Sequence, residues 1–158
     1  MLGIILAAVG LLICVYIGLA VDNYYKLRLN TVRDYLAFVR FSERETEFLK
    51  TDMPALLSGF ECKSEFKKMI TEASGKLSEG GTAECASDRL KKEDLEKVNA
   101  FLKGLSETDY VSRAALFRYS ISIAENMEKV AEKEKKQKGE LIKKLMFLLG
   151  VGLVILAI

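Results

Sequence analysis

Histidine is absent from the 158 residues, and with it the commonest general base and the commonest transition-metal ligand. Ser/His, Cys/His and zinc chemistry therefore lose their usual partner. Cysteine is scarce. Cys14 sits inside an apolar run, and Cys62 and Cys85 stand alone without a CxxC, so neither a metal site nor a disulfide framework is expected. Without a histidine to generate a thiolate, each cysteine reads as a small, semi-buried residue. The net charge of +2 is too small for a chain whose main partner is nucleic acid. Gly75, Gly80 and Gly81 lack the spacing and the Lys-Ser/Thr of a P-loop. Glu43, Glu45 and Glu47 alternate around a helix rather than sharing one face, so nothing sets their acidities apart for acid-base catalysis. These absences predict a non-enzyme: no catalytic residue, cofactor, metal or small-molecule substrate.

Charge is also missing, but only at the ends. All 24 Lys+Arg and 22 Asp+Glu fall between Asp22 and Lys144. Residues 1–21 (MLGIILAAVGLLICVYIGLAV) are long enough to cross a bilayer core of about 30 Å at about 1.5 Å per residue. They read as a transmembrane helix. A signal peptide cleaved after Ala20 is the competing reading, since Gly18 and Ala20 form a small-x-small pair, yet no Lys or Arg makes an n-region. Residues 145–158 (LMFLLGVGLVILAI) are short for a span, a length that by itself suits a core helix or an interfacial segment. Leu141 and Ile142 lengthen the run if Lys143 and Lys144 snorkel to the headgroups, and on that basis it reads as a second, short transmembrane helix.

Both flanks of the middle are basic: Lys26, Arg28 and Arg33 on one side, and Lys133, Lys135, Lys136, Lys138, Lys143 and Lys144 on the other. The positive-inside rule then places both termini outside and residues 22–144 in the cytoplasm, where cysteines stay reduced.

The middle reads as one all-α domain. Tyr25, Leu29, Val32, Leu36, Val39 and Phe48 recur at helical spacing, predicting an amphipathic helix that continues the first span to about Lys50. Thr51 or Asp52 caps the next helix, with Pro54 in its first turn. That helix carries Leu56, Leu57, Phe60, Phe66, Met69 and Ile70 inward and runs to about Leu77, where Gly80-Gly81 closes it. A short helix is expected from Thr82 to Leu90, and another from Glu93 to Leu102, ended by Gly104 as a left-handed C-cap. Ser106-Glu107-Thr108-Asp109 offers an N-cap at Ser106 for a last helix that runs unbroken into the second span. Leu116, Ile123, Met127 and Val130 should face inward there, while Glu128 to Glu140 is nearly all charged and is expected to stand free in water.

Several local patches carry a resemblance: Glu45-Thr46-Glu47 followed by Met53-Pro54-Ala55-Leu56-Leu57, then Gly81-Thr82-Ala83-Glu84, then Glu93-Asp94-Leu95, then Leu102 with Gly104-Leu105-Ser106. With the tail from Lys144 to Leu156 and its Leu149-Gly150-Val151, the chain resembles the stage III sporulation protein AB family over nearly its whole length. It departs from that pattern at Glu107 and Val111, where the family tends to have Asp and Gln. The resemblance implies a helical cytoplasmic domain similar to the F-type platform proteins of type II secretion, held between an N-terminal and a C-terminal span. It implies a non-enzymatic part of the channel complex joining mother cell and forespore, in the mother-cell-side membrane. Its partners would be the membrane, the secretion-type ATPase and other stage III sporulation complex proteins. The readings from other classes are a generic membrane-anchored interaction protein and a secreted helical protein with a cleaved signal peptide.

Overall fold

The computed structural model describes residues 2–49, 53–107 and 110–157, and among these there is helix and no strand. The expected all-α class holds. The elements are α1 (Leu2–Leu49), α2 (Met53–Gly59), α3 (Phe66–Ser78), α4 (Lys92–Glu107), α5 (Tyr110–Glu134), a π-helical turn (Lys135–Gly139) and α6 (Glu140–Ala157). They form two compact units, one of Met1–Leu29 with Val130–Ile158 and one of Asn30–Lys129.

The Asn30–Lys129 unit is built on the second half of α1, which has neither glycine nor proline and buries Val32, Tyr35, Leu36, Phe38 and Val39. An aromatic cluster fills its core. Phe38 meets Phe60 at 5.3 Å between ring centroids and Phe66 at 5.7 Å, and Phe101 lies 6.0 Å from Tyr35 and 6.1 Å from Phe117. All four pairs are edge-on or tilted rather than stacked face to face. Pro54 takes its expected place in the first turn of α2, while the proposed caps Thr51 and Asp52 lie outside the described residues.

Four sequence expectations are corrected. The helix expected to run from Pro54 to Leu77 is two helices, because Phe60 leaves the helix to join the aromatic cluster, its carbonyl accepting from Lys67 Nζ at 3.1 Å. Ser64 Oγ then accepts the Phe66 N–H at 3.1 Å and starts α3. Residues 82–90 are not helical. Asn99 of α4 claims that strip instead: its Oδ1 accepts from Cys85 N at 2.9 Å and its Nδ2 donates to Cys85 O at 3.1 Å. Gly104 and Ser106 lie inside α4 rather than at a cap and a new start. A Cβ at Gly104 would come within 3.1 Å of Leu116 Cδ1, so this glycine serves a close approach, and Ser106 Oγ donates back to Lys103 O at 2.7 Å. Thr108 and Asp109 lie outside the described residues. Last, Glu128 to Glu140 does not stand free, since Ala131 and Gly139 are buried and Glu128 and Glu134 are ion-paired to arginines of α1, whereas Val130 is exposed.

The turn at the end of α3 forms as expected. Gly81 N donates to Lys76 O at 2.9 Å and Gly80 N to Leu77 O at 3.1 Å, the paired bonds of a Schellman motif with Gly80 at φ +80°. No atom crowds a Cβ at Gly80, so the cost of Gly80→Ala is backbone strain alone. That substitution should destabilise by about 1 kcal/mol and lower the thermal midpoint by about 4 °C, read by helicity on heating.

In the other unit the first half of α1 runs antiparallel to the π-turn and α6. Gly10 faces Leu153, Leu11 and Cys14 face Gly150, Gly18 faces Lys143 and Met146, and Tyr25 faces Gly139. Glycine keeps recurring at the contacts. A Cβ at Gly18 would lie 3.2 Å from Lys143 Cα, and one at Gly150 would lie 3.3 Å from Cys14 Cβ, so the two backbones approach as closely as small residues allow.

Candidate functional site

The outer faces of this helix pair are apolar. Leu6, Leu12 and Tyr16 of α1 and Leu148, Ile155 and Leu156 of α6 are each at least 64 % exposed, a distribution opposite to that of a water-soluble core helix. Among the described residues one helix, α1, is long and apolar enough to cross a membrane, and only 17 % of its most apolar stretch is buried.

Charge begins where the apolar faces end. Asp22 Oδ2 meets Lys143 Nζ at 3.5 Å, and a turn and a half further along α1 Arg28 pairs with Glu134 of α5. Arg28 is only 2 % exposed and Glu134 14 %, so this is a buried ion pair, with Lys138 Nζ adding a contact to Glu134 at 3.5 Å. The π-turn lies between the two bridges. Such a turn absorbs one extra residue, shifting the face presented by everything after it by about 100°.

The Asn30–Lys129 unit carries a groove of about 400 Å³ between α1 and α5, lined by Glu43, Thr46, Glu47, Arg113, Ala114, Phe117 and Arg118. Phe117 is its apolar floor, and acid and base face each other across it. The hydroxyl of Thr46, in the groove lining, and that of Ser42, one turn earlier on α1, are buried without a hydrogen-bond partner. Farther along the same helices Arg33 pairs with Glu128 at 2.8 Å and Arg40 with Glu125 at 2.7 Å. These bridges are exposed and add little stability.

The structure brings Glu43 and Glu47 to one groove rim, although the sequence reading had the carboxylates alternating around the helix rather than sharing a face. Sequence reasoning counted Arg28 only as a basic flank and Thr46 only in a family patch, and gave no buried role to either or to Ser42. Their signal was present, since positions 28, 32, 35, 39, 42 and 46 continue one face at three- and four-residue steps and three of them are polar. The patches that carried the family resemblance are mainly packing positions: Met53, Leu56, Leu57, Ala83, Leu102 and Leu105 are buried, and Thr46 lines the groove. Val111 has no described side chain and Glu107 is exposed.

The cysteines differ in environment. Burial pushes the Cys85 thiol up to about 12, with Glu72 adding to the effect, and its Sγ lies 3.2 Å from Asn99 Oδ1. Because the folded state holds the Cys85 proton more tightly than an ordinary thiol, this contribution to stability is complete below about pH 9 and is lost as pH rises toward 12. Cys62 is half-exposed on the α2–α3 connection, its thiol raised by partial burial and by Asp34.

No group of three or more His, Cys, Asp or Glu among the described residues is placed to hold a metal. Comparison with curated proteins and with solved structures gives no match. The family profile for stage III sporulation protein AB does match, over residues 3–158, and so spans both units from the apolar start of α1 to the end of α6. The chain belongs to the stage III sporulation protein AB family.

Proposed function

We propose that the chain is a non-enzymatic membrane platform in the mother cell–forespore channel complex of endospore formation, spanning the mother-cell-side membrane twice and docking the complex's secretion-type ATPase. The observation that carries this reading is the close antiparallel pair of α1 and α6, apolar on its outer faces, within a chain matched by the family over residues 3–158. α6 has 18 residues, a rise of about 27 Å, enough for a short span once Lys143 and Lys144 reach the headgroups. The Lys and Arg flanking both helices support a cytoplasmic Asn30–Lys129 unit and outside termini. The mixed-charge groove of Glu43, Glu47, Arg113 and Arg118 offers that unit a concave surface for the ATPase contact.

The cleaved-signal reading is disfavoured by the same packing. Removal of residues 1–20 would strip Gly10, Cys14 and Gly18 from the α6 face and expose it. Cys62 supplies the test, because it is half-exposed while Cys85 is buried and protonated. A membrane-impermeant thiol reagent should label Cys62 only after cell lysis and leave Cys85 unlabelled until the protein is denatured. Labelling of Cys62 in intact cells would overturn the orientation, and release of the chain by alkaline carbonate would overturn the membrane platform itself.

A further inference from the structure

Beside the helix pair, and wholly within the Met1–Leu29 and Val130–Ile158 unit, lies a groove of about 710 Å³. Its walls are split by chemistry. Val15, Leu19, Phe147 and Leu148 line one part, and Lys135, Lys143 and Lys144 with Asp22 and Glu140 line the other. Lys143 and Asp22 are engaged with each other at 3.5 Å. Neither Lys135 nor Lys144 is in an ion pair among the described residues, which leaves two ammonium groups against the Glu140 carboxylate.

The π-turn is what brings the two lysines to one groove. In an unbroken α-helix, nine steps of about 100° would set Lys135 and Lys144 on opposite faces. With one residue absorbed by the Lys135–Gly139 turn, the separation falls to about 80°, and both line the same cavity. We propose that this groove binds an anionic phospholipid, its phosphate held by Lys135 and Lys144 and its acyl chains lying along Val15, Leu19, Phe147 and Leu148.

The occupant follows from charge and depth. The surplus ammonium groups call for an anion, and the apolar walls below them call for hydrocarbon on the same molecule, a combination that a free phosphate lacks and an anionic lipid has. The proposal rests on the membrane reading above, because only an embedded helix pair presents this groove at headgroup level.

The test is native mass spectrometry of the full chain, delipidated in detergent and titrated separately with phosphatidylglycerol, phosphatidylcholine and inorganic phosphate. Phosphatidylglycerol should bind at least tenfold more tightly than phosphatidylcholine, and Lys135→Gln with Lys144→Gln should remove that preference. Lys26→Gln with Lys133→Gln, which deletes the same charge from exposed positions outside the groove, should leave it intact. Equal binding of both lipids, equal loss in both double variants, or phosphate binding as tightly as the lipid would each overturn the proposal. Carbonate extraction of the same variants separates the two readings: a chain retained in the membrane without lipid preference defeats only the lipid site, and a released chain defeats the membrane reading.

Discussion

Glu134→Gln should destabilise the chain by about 3 kcal/mol, a fall of about 10 °C in the thermal midpoint of the detergent-solubilised protein. The substitution keeps shape and polarity but takes the negative charge of Glu134 away from the Arg28 guanidinium, which is 2 % exposed. Pairing of such a group is not a large net gain over two apolar residues, because desolvation of both charges offsets most of their attraction. Removal of one partner is costly because the other remains charged and buried, and arginine does not escape by losing its proton. The same reasoning predicts the double variant Arg28→Met with Glu134→Leu to be much closer to the parent than Glu134→Gln is. The decisive quantity is the coupling from the double-mutant cycle. If the double variant is as unstable as the sum of the single ones, the two side chains do not depend on each other and the buried pair is not what sets the stability of this end of the helices.

The position of that pair marks where sequence reading stopped. The all-α class, the long first helix, the place of Pro54 and the Gly80-Gly81 turn were legible because each is decided locally, by periodicity, by a fixed φ or by a positive one. Residues 82–90 were misread because their conformation is set by Asn99, 14 positions after Cys85, and no local pattern announces an amide that will bond both backbone groups of Cys85. Gly104 misled for a related reason. A glycine near the end of an apolar face signals a C-cap, but here the missing Cβ makes room for Leu116 of the neighbouring helix. The charged stretch Glu128 to Glu140 looked solvated because a single sequence does not show that α1 lies alongside with Arg28 and Arg33 at matching heights. The groove between Glu43, Glu47, Arg113 and Arg118 was illegible for the same reason, since its two sides come from α1 and α5, far apart in the chain.

Gly18→Leu should drive α1 and α6 apart, at a cost of about 3 kcal/mol, while Gly152→Leu should be tolerated. Both glycines lie in apolar helix, and an effect of hydrophobicity or helix propensity alone would treat them alike. Their surroundings differ. A Cβ on Gly18 would lie 3.2 Å from Lys143 Cα and 3.4 Å from Lys143 O, backbone atoms that do not yield by a rotamer change, whereas nothing lies within 4 Å of one on Gly152. Even Gly18→Ala must push the helices apart by a few tenths of an ångström, and leucine adds three more carbons at that contact. Separation can be read directly. A Cβ at Gly150 lies 3.3 Å from Cys14 Cβ, close to the span of a disulfide, so Gly150→Cys in a background of Cys62→Ser and Cys85→Ser should form an intramolecular bridge with Cys14 on oxidation. Adding Gly152→Leu should leave that bridge in place, and adding Gly18→Leu should abolish or greatly slow it. Bridging that persists in the Gly18→Leu chain would mean that the helices meet without depending on the glycine contact, and the antiparallel pair would then owe its geometry to Arg28–Glu134 and Asp22–Lys143 at its charged end.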